Sequence, residues 1–319
     1  RSGDHRVRSA TSPSTRSYGS GRTDVYLVGD SMTAQWYEPL ASIGARRGWR
    51  LHPRTRSATP FVFTPMGSTL SDRRYARKVL AQIERDKPEI VIMSTASPVS
   101  SGGIRDAYRR LKAAGVKKVV ALSTDKASSP INLYGATKLT ADKLFINGNH
   151  YAAAYPTRFC VVRYGNVMGS RGSIIPKFRA LHESGESLPI TDLRCTRFLI
   201  TLPQAVKFVT DSFEMMQGGE LYVPRIPSMK VTDLAQAIAP GAKMHDVGLR
   251  PGEKLHEEMI SPEEGRRAVI VHDGKYFVLQ PDFATWGYEA PADGVPVEDG
   301  FHYSSGDNDQ WYTIEQLQQ

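Results

Sequence analysis

Cysteine is scarce in this chain of 319 residues, which contains only Cys160 and Cys195. Two isolated cysteines supply neither a disulfide framework nor the paired spacing of a zinc site, so we expect no bound metal and a cytoplasmic location. Cys160 stands in the apolar run 159–162 and is predicted to be buried. No apolar run reaches the roughly 18 residues that a membrane-spanning helix requires. The sequence therefore predicts a protein with no membrane partner.

Acidic residues are in the minority, since 41 Lys and Arg face 33 Asp and Glu, and the net charge is +8. Residues 1–22 contribute half of that excess, because they contain five arginines against one aspartate. This Arg-, Ser- and Gly-rich segment lacks apolar periodicity and is predicted to be a disordered basic tail. Nucleic-acid binding is the alternative to a solvated tail, but we expect no nucleic-acid partner. The remaining basic excess suits a substrate with a diphosphate group.

Apolar strand-like segments alternate with helical ones after residue 22. Candidate strands cover 24–29, 49–53, 89–95, 117–123, 158–164 and 219–224. Candidate helices cover 33–47, 71–86, 103–114, 132–147, 203–216 and 231–238. This alternation predicts an α/β fold with a Rossmann-like, doubly wound parallel sheet. Asp273-Gly274 between two apolar runs, 269–271 and 276–279, adds a predicted hairpin.

The predicted fold divides into two domains after the tail. Residues 23–167 form the Rossmann-like α/β domain, and residues 168–319 form mainly a smaller C-terminal substrate lobe. Within the second segment, residues 201–224 are expected to return to the α/β core.

The most informative segment is 117–138, where an apolar run ends in Ser123-Thr124 and continues with Asp125-Lys126. Tyr134 and Lys138 follow, four residues apart and therefore on one face of a helix. A hydroxyl at a strand end orients a substrate, and a tyrosine whose pKa is lowered by a nearby ammonium acts as acid and base. This layout resembles the active site of short-chain dehydrogenases/reductases. The alternative is an exposed helix that happens to contain one Tyr and one Lys.

Residues from about 115 to 319 resemble the inverting UDP-N-acetylglucosamine 4,6-dehydratases, a branch of the extended short-chain family. Lys126 after Asp125 is the most specific match, because the retaining dehydratases usually have Glu there. Further matching motifs are Arg163-Tyr164-Gly165-Asn166-Val167-Met168-Gly169-Ser170-Arg171, Thr196-Arg197-Phe198, Arg250-Pro251-Gly252-Glu253-Lys254-Leu255-His256-Glu257 and Asn308-Asp309-Gln310-Trp311.

The resemblance implies loss of water across C5–C6 of the sugar after transient oxidation at C4. Tyr134 would take the proton of the 4-hydroxyl, Lys138 would lower the pKa of Tyr134, and Thr124 would hydrogen-bond the 4-oxygen. Lys126 would remove the C5 proton. That role requires a neutral amine, and therefore a pKa lowered by burial or by a nearby cation. Asp125 would protonate the leaving 6-hydroxyl.

The resemblance also implies a cofactor, NADP or NAD, and a UDP-sugar substrate used in surface polysaccharide or glycan biosynthesis by a homo-oligomeric enzyme. The cofactor residues would be Leu122, Ser123, Tyr134, Lys138, Val167, Met168, Gly169, Ser170 and Arg171. The substrate residues would be Asn166, Ile174, Arg250 and Glu253.

Arg250 would clamp the diphosphate, since a guanidinium fork suits phosphate oxygens, and Glu253 would accept from a ribose hydroxyl. A charge pair at a helix start is the alternative for these two residues, and a turn residue is the alternative for Asn166. Arg54 and Arg56 follow the second strand, where they could hold the 2′-phosphate of NADP or be exposed loop charges.

Residues 23–114 follow a different pattern. A dinucleotide site needs a glycine-rich turn after the first strand, so that backbone N–H groups approach the pyrophosphate. Here Gly29-Asp30-Ser31 offers one glycine, and Asp30 places negative charge where a diphosphate needs positive potential. The segment resembles the SGNH hydrolase domains attached to membrane O-acyltransferases, with Gly29-Asp30-Ser31 as the nucleophile block.

This second resemblance implies an esterase or O-acyltransferase that uses Ser31 as nucleophile. Its base and orienting acid would be His302 and Asp299, which have the required Asp-x-x-His spacing. The alternatives are a coincidental spacing and a Ser31 that caps a helix or turn. The chain then combines two related α/β halves joined near residues 113–118, either as an active dehydratase or as a catalytically inactive chimera.

We predict that the unmodified chain binds NADP weakly. Replacing residues 29–33 with a glycine-rich turn should tighten binding, because it frees backbone donors and removes the charge of Asp30. Titration of both proteins with NADP by calorimetry tests this expectation. Sub-micromolar binding by the unmodified chain would contradict it.

Overall fold

The structure is a computed structural model that describes residues 17–29, 31–34, 36–56, 70–93, 101–152, 154–170 and 173–318. The chain separates into two compact units. The first comprises residues 1–120 with 152–158, and the second comprises residues 121–151 with 159–319. The boundary after Val120 lies inside the strand that precedes Ser123-Thr124.

Parallel strands form the centre of the first unit. Its elements are β1 (Thr23–Gly29), α1 (Ser31–Ala34), α2 (Tyr37–Arg46), β2 (Trp49–Thr55), α3 (Leu70–Asp86), β3 (Ile90–Met93), α4 (Ser101–Ala113) and the first part of β4 (Lys118–Leu122). Strand β1 pairs in parallel with β2 on one side and with β3 on the other. Residues 25–28 of β1 are fully buried, as expected for an apolar run inside a parallel sheet.

The predicted continuous helix 33–47 is wrong. The chain forms two helices, α1 and α2, and Trp36 lies between them with its N–H bonded to the carbonyl of Thr33. Pro39 explains the break, because a proline inside a longer helix lacks the N–H donor and clashes with the carbonyl four residues earlier. Starting a new helix at Tyr37 puts Pro39 in a first turn, where no such donor is needed.

Helices α3 and α4 confirm the predicted helices 71–86 and 103–114. Each presents an apolar stripe of buried residues at helical spacing. The buried residues are Tyr75, Ala76, Val79, Leu80 and Ile83 in α3, and Ala107, Tyr108 and Leu111 in α4.

The second unit contains the remaining elements. They are the end of β4, α5 (Leu133–Tyr151), β5 (Arg158–Val162), β6 (Asn166–Val167), α6 (Ile174–Glu183), β7 (Leu188–Ile190), β8 (Thr196–Ile200), α7 (Leu202–Met215), β9 (Leu221–Pro224), β10 (Ser228–Lys230), α8 (Val231–Ile238), β11 (Met244–Asp246), β12 (Glu258–Ile260), α9 (Pro262–Gly265), β13 (Ala268–Val271), β14 (Tyr276–Leu279), β15 (Val295–Pro296), β16 (Tyr303–Ser304) and α10 (Ile314–Gln318).

The main strands of the second unit follow the order β15-β13-β14-β9-β5. Strands β5 and β9 are parallel, whereas β14 pairs antiparallel with both β9 and β13. The hairpin predicted around Asp273-Gly274 is therefore confirmed. Three small sheets, β10-β8-β6, β11-β7 and β12-β16, accompany the main one. Together the two units confirm the predicted α/β class with mainly parallel central strands.

The cysteines, the start of the chain and the helix lengths were also the subject of sequence predictions. Cys160 and Cys195 are both buried, so the predicted burial of Cys160 is confirmed. Tyr18, within the predicted tail, exchanges two backbone hydrogen bonds with Leu51, whereas residues 1–16 lie outside the described residues. Within the described ranges, no helix is both long enough and apolar enough to cross a bilayer.

A buried ion cluster anchors the second unit around Arg163, whose side chain is completely inaccessible. Its guanidinium donates to Glu264 Oε2 at 2.8 Å, to Asp142 Oδ2 at 3.3 Å and to the carbonyl of Met259 at 2.7 Å. The cluster joins α5, the segment after β5 and α9. One guanidinium thus forms ion pairs with the buried Asp142 and the mostly enclosed Glu264.

We predict that Arg163→Met destabilises the protein by about 3–5 kcal/mol, because it leaves Asp142 and Glu264 as buried, uncompensated carboxylates. Urea unfolding followed by circular dichroism measures the loss. Arg179→Met is the control, since Arg179 is exposed on α6 and should change the free energy of unfolding by less than about 0.5 kcal/mol. Equal stability of the two variants would contradict the prediction.

Candidate active site

The end of β4 leads directly into a single 3-10 turn formed by Asp125–Ala127. Thr124 caps this turn with an extended backbone, and its hydroxyl oxygen accepts from the N–H of Lys126 at 3.5 Å. The same hydroxyl donates to Asp125 Oδ1 at 2.8 Å. The Thr-Asp-Lys sequence therefore folds as a local cap, which presents the Asp125 and Lys126 side chains just beyond the sheet.

Lys126 lies between two buried carboxylates. Its Nζ is 3.0 Å from Asp125 Oδ1 and 3.3 Å from Glu257 Oε1, and 34% of its side chain is exposed. Burial alone would lower the pKa of Lys126, but the charges of Asp125 and Glu257 outweigh it and raise the pKa above its ordinary value. The expectation of a lowered pKa at Lys126 is wrong. In the ligand-free protein this side chain is an ammonium.

Glu257 is the site residue to which sequence reasoning assigned no role, although it belongs to a quoted motif. It is buried, and burial followed by the charge of Asp125 raises its pKa above the ordinary glutamate value. Within the described residues, Glu257 Oε2 and Asp125 Oδ2 have no hydrogen-bond partner. Two carboxylate oxygens beside the Lys126 ammonium are thus unsatisfied, which is unusual for buried acceptors.

Helix α5 supplies Tyr134 and Lys138, one turn apart as predicted. Lys138 is buried and its Nζ donates to the carbonyl of Leu122 at 2.8 Å, which ties the helix to the end of β4. Tyr134 lies in the first turn and remains 39% exposed. The structure therefore leaves the Tyr134 side chain open to solvent. It holds the Lys138 side chain at the end of β4, where the Thr124–Lys126 turn begins.

Gly135 allows α5 to begin this close to the turn. A Cβ atom at this position would lie 2.3 Å from the backbone oxygen of Lys126 and 2.9 Å from Pro130 Cβ. Both distances are shorter than real contacts permit, and the nearer atom belongs to the backbone. Only glycine therefore fits between Tyr134 and the residues of the turn.

A cavity of about 560 Å³ opens beside Lys126 in the second unit. Seven of the predicted site residues line it: Lys126, Asn166, Val167, Met168, Ile174, Arg250 and Glu253. The sequence reasoning did not select four charged residues that also line it, Lys177, Arg197, Lys254 and Glu257. Among the described residues, the lining does not include Thr124, Tyr134 or Lys138. The substrate-side predictions thus converge on one cavity.

Glu253 is held at the cavity by three donors. Its Oε1 accepts from Arg197 Nη2 at 2.8 Å and from Thr191 Oγ1 at 3.2 Å, and its Oε2 accepts from the backbone N–H of Arg250 at 3.3 Å. Residues 250–253 form a turn, so the alternative of a charge pair at a helix start is wrong. The alternative of a turn residue is also wrong for Asn166, which lies exposed in strand β6.

The residues named for a nicotinamide cofactor all belong to the second unit. Lys138 lies at the end of β4 with Leu122 and Ser123, and residues 167–170 lie at and after the end of β6. Arg171 and Asp30 lie outside the described residues. In the first unit, β1 and the four-residue helix α1 are separated by a single residue, which leaves no glycine-rich loop.

Arg54 lies within β2 and Arg56 directly follows it, and the two do not form a pair of loop charges. Arg54 is buried, donates to Gln82 Oε1 at 2.9 Å and stacks over the ring of Tyr26, with its Cζ 5.0 Å from the ring centroid. The alternative of an exposed loop charge is therefore wrong for Arg54. Arg56 lies over the ring of Tyr75 at 5.5 Å.

The proposed hydrolase dyad is also not assembled as the spacing suggested. His302 Nε2 lies 2.6 Å from the carboxylate of Asp307, whereas Asp299 Oδ1 accepts from the N–H of Gly300 at 3.1 Å. The side chain of Ser31 lies outside the described residues.

Among the side chains that the structure describes, no group of His, Cys, Asp and Glu is arranged to hold a metal ion.

Comparison with known proteins identifies the family to which this chain belongs. Residues 102–280, more than half of the chain, match the family described as polysaccharide biosynthesis protein. The chain therefore belongs to this family. Two Campylobacter jejuni relatives, both described as UDP-N-acetylglucosamine 4,6-dehydratase (inverting), are 49% identical over 211 residues, which cover 64% of this chain and 63% of each relative. The predicted resemblance to that dehydratase family is confirmed, although the match spans less than two thirds of the relatives' length.

Solved structures share the fold. Pen from Bacillus thuringiensis superposes with a TM-score of 0.72 and 23% identity over 94% of this chain and 97% of that chain. A GDP-L-fucose synthetase from Naegleria fowleri bound to NADP gives a TM-score of 0.53 and 14% identity over 76% and 85% of the two chains. The first of these likenesses extends well into the residues before 115, and both concern the fold alone.

We predict that Gly135→Ala destabilises the protein by about 1–3 kcal/mol, because the added methyl group forces the start of α5 away from the Lys126 carbonyl. Thermal unfolding compared with Thr140→Ala, an exposed position on the same helix, measures the effect. Gly135→Ala with the stability of the parent chain would show that the turn and the helix separate without cost.

Proposed function

We propose that this chain is a nucleotide-sugar 4,6-dehydratase that acts on UDP-N-acetylglucosamine, inverts C5 and serves glycan biosynthesis. One observation carries the proposal: the Lys126 amine, fixed by Asp125 at the end of β4, faces the cavity that Asn166, Arg250 and Glu253 line. The 49% identity to inverting dehydratases supports the same reaction and substrate. Cytoplasmic location and self-association remain predictions.

The substrate's nucleotide end is assigned to the part of the cavity that Arg250 and Glu253 line. Arg250 is exposed, and its guanidinium could clamp the diphosphate in bidentate fashion. Glu253, oriented by Arg197 and Thr191, retains lone pairs that can accept from a ribose hydroxyl. Asn166 and Ile174 would contact the sugar from β6 and the start of α6.

A nicotinamide cofactor, NADP or NAD, is part of the proposal, and Leu122, Ser123, Tyr134, Lys138 and residues 167–170 would hold it. When bound, the nicotinamide supplies a reversible hydride acceptor for C4. Because the glycine-rich loop is absent, the chain should bind the diphosphate of the cofactor less tightly. The chemistry at the sugar does not depend on that loop. The chain's own residues must supply the proton transfers.

Tyr134 takes the proton of the 4-hydroxyl, because its exposed phenol stands one helical turn from Lys138. The resemblance to the dehydratases assigns to Lys138 the role of making this tyrosine a better base. The Thr124 hydroxyl would hold the 4-oxygen by exchanging its hydrogen bond with Asp125 for one to the sugar. These three residues therefore act at C4.

Lys126 removes the proton from C5, which the adjacent 4-keto group acidifies. The ligand-free ammonium must first lose a proton, since only a neutral amine is a base. An acid must also protonate the leaving 6-hydroxyl, and the sequence hypothesis assigns that role to Asp125. Both carboxylates beside Lys126 have an unsatisfied oxygen, so the geometry offers two candidates for this acid.

We predict that Lys126→Ala lowers the dehydration rate by about 10²-fold or more and leaves binding of UDP nearly unchanged, because only the C5 base is removed. Lys126→Arg should also be inactive, since arginine keeps both ion pairs but cannot be deprotonated. Formation of the 4-keto-6-deoxy sugar, followed by mass spectrometry, measures the rate.

The matched control is Lys143→Ala, an exposed lysine on α5 that should retain full activity. Thermal unfolding of each variant separates loss of catalysis from loss of fold. Parent-like turnover by Lys126→Arg would overturn the assignment of the C5 base.

A further inference from the structure

Four charged groups face Glu257, the second carboxylate beside Lys126. They are Asp125 and Lys126 from the 3-10 turn, Arg197 from β8 and Lys254 from its own segment. The nearest is Lys126, whose Nζ is 3.3 Å from Glu257 Oε1, and the Arg197 Nε lies 4.0 Å from the same oxygen. The other carboxylate oxygen, Oε2, is buried and has no hydrogen-bond partner within the described residues. Glu257 lines the cavity together with Lys126 and Arg197.

We propose that Glu257 is the general acid of the elimination and exchanges a proton with Lys126 across their contact. This inference rests on the proposed dehydratase function. It assigns to Glu257 the role that sequence reasoning gave to Asp125, and it makes Asp125 the residue that positions the Lys126 amine.

The proton transfers balance within this pair. Before elimination, the proton of the Lys126 ammonium passes to Glu257, which leaves a neutral amine and a carboxylic acid. The amine then takes the C5 proton, the C5–H electrons form the C5=C6 bond, and the C6–O6 bond breaks. Glu257 gives its proton to O6, which leaves as water. The pair is again an ammonium and a carboxylate, ready for the next exchange.

Three contacts favour Glu257 over Asp125 as the acid. Asp125 Oδ1 already accepts from the Thr124 hydroxyl and from the Lys126 ammonium, and both bonds stabilise a carboxylate. Glu257 has longer contacts to its two nearest cations, at 3.3 and 4.0 Å. Glu257 also lines the cavity, as Lys126 does.

Substrate binding supplies the reason for the exchange. Lys126 is one third exposed in the ligand-free protein, so water stabilises its charge. A sugar in the cavity would displace that water, and an ion pair without water is costly to keep. A neutral amine beside a neutral carboxylic acid avoids this cost. The neutral pair is therefore favoured when a substrate is present to be deprotonated.

Infrared spectroscopy tests the shared proton without any cofactor or turnover. In a pH titration of the wild-type protein, one carboxylic-acid carbonyl band, in addition to those of the buried Asp142 and Glu220, should persist above the ordinary glutamate range and should disappear in Glu257→Gln. Glu258→Gln is the matched control, because the neighbouring Glu258 accepts from Ser128 and Ser129 and should leave the band in place. Lys126→Met should shift the midpoint of the band to higher pH, since the carboxylate loses its nearest cation. The proposal would be overturned if the band assigned to Glu257 persisted in Glu257→Gln, or if its midpoint pH were the same in Lys126→Met as in the wild type.

Turnover provides the second readout and separates this inference from the proposed function. Glu257→Gln should lower kcat by about 10²-fold or more with little change in KM, and Glu257→Asp should recover part of the loss. In heavy water, Glu257→Gln should also slow exchange of the C5 hydrogen of the recovered sugar, because Lys126 can no longer pass its proton to a carboxylate at position 257. Dehydration by Glu257→Gln at the wild-type rate would refute the acid role while leaving the dehydratase function intact. A wild-type protein that dehydrates no nucleotide sugar would refute the proposed function instead.

Discussion

The contact on which the site depends is that of one ammonium, Lys126, with two buried carboxylates. Removing any one of the three charges leaves the others uncompensated in a poorly solvated place, so the three side chains must be present together. This constraint requires Asp125, on a tight turn, and Glu257, from a distant segment of the chain, to lie on either side of the same amine. It also explains why the amine stays charged in the ligand-free protein, despite its partial burial.

The fold meets that constraint through short, rigid connections. Strand β4 ends in a turn that Thr124 caps, so that Asp125 and Lys126 have little freedom. Helix α5 approaches the turn closely only because residue 135 has no side chain, and Lys138 ties the helix back to Leu122. On the other side, Ser305 Oγ accepts from the backbone N–H of Glu257 at 2.9 Å. The main chain therefore fixes the positions from which the three charged side chains extend.

Much of the secondary structure was accessible from pattern alone. Helix α8 covers the predicted residues 231–238, and the hairpin around Asp273-Gly274 forms as its turn residues indicate. The prediction of one helix over 33–47 was wrong because the apolar periodicity continues through Pro39, whereas a continuous helical hydrogen-bond ladder does not. Periodicity reports which face is buried, but it does not report where a hydrogen-bond ladder is interrupted.

The sequence by itself determined the residues that lie close together along the chain: the Ser-Thr-Asp-Lys turn, the Tyr134–Lys138 pair and the α/β alternation around them. Local spacing specifies such groups, because a strand end and a helix start fix the positions of neighbouring side chains. Only the tertiary structure decided that Glu257 and Arg197 join Lys126, and that the pKa of Lys126 is raised rather than lowered. A pKa depends on all charges within a few ångströms, and here the decisive ones come from parts of the chain that no local pattern connects.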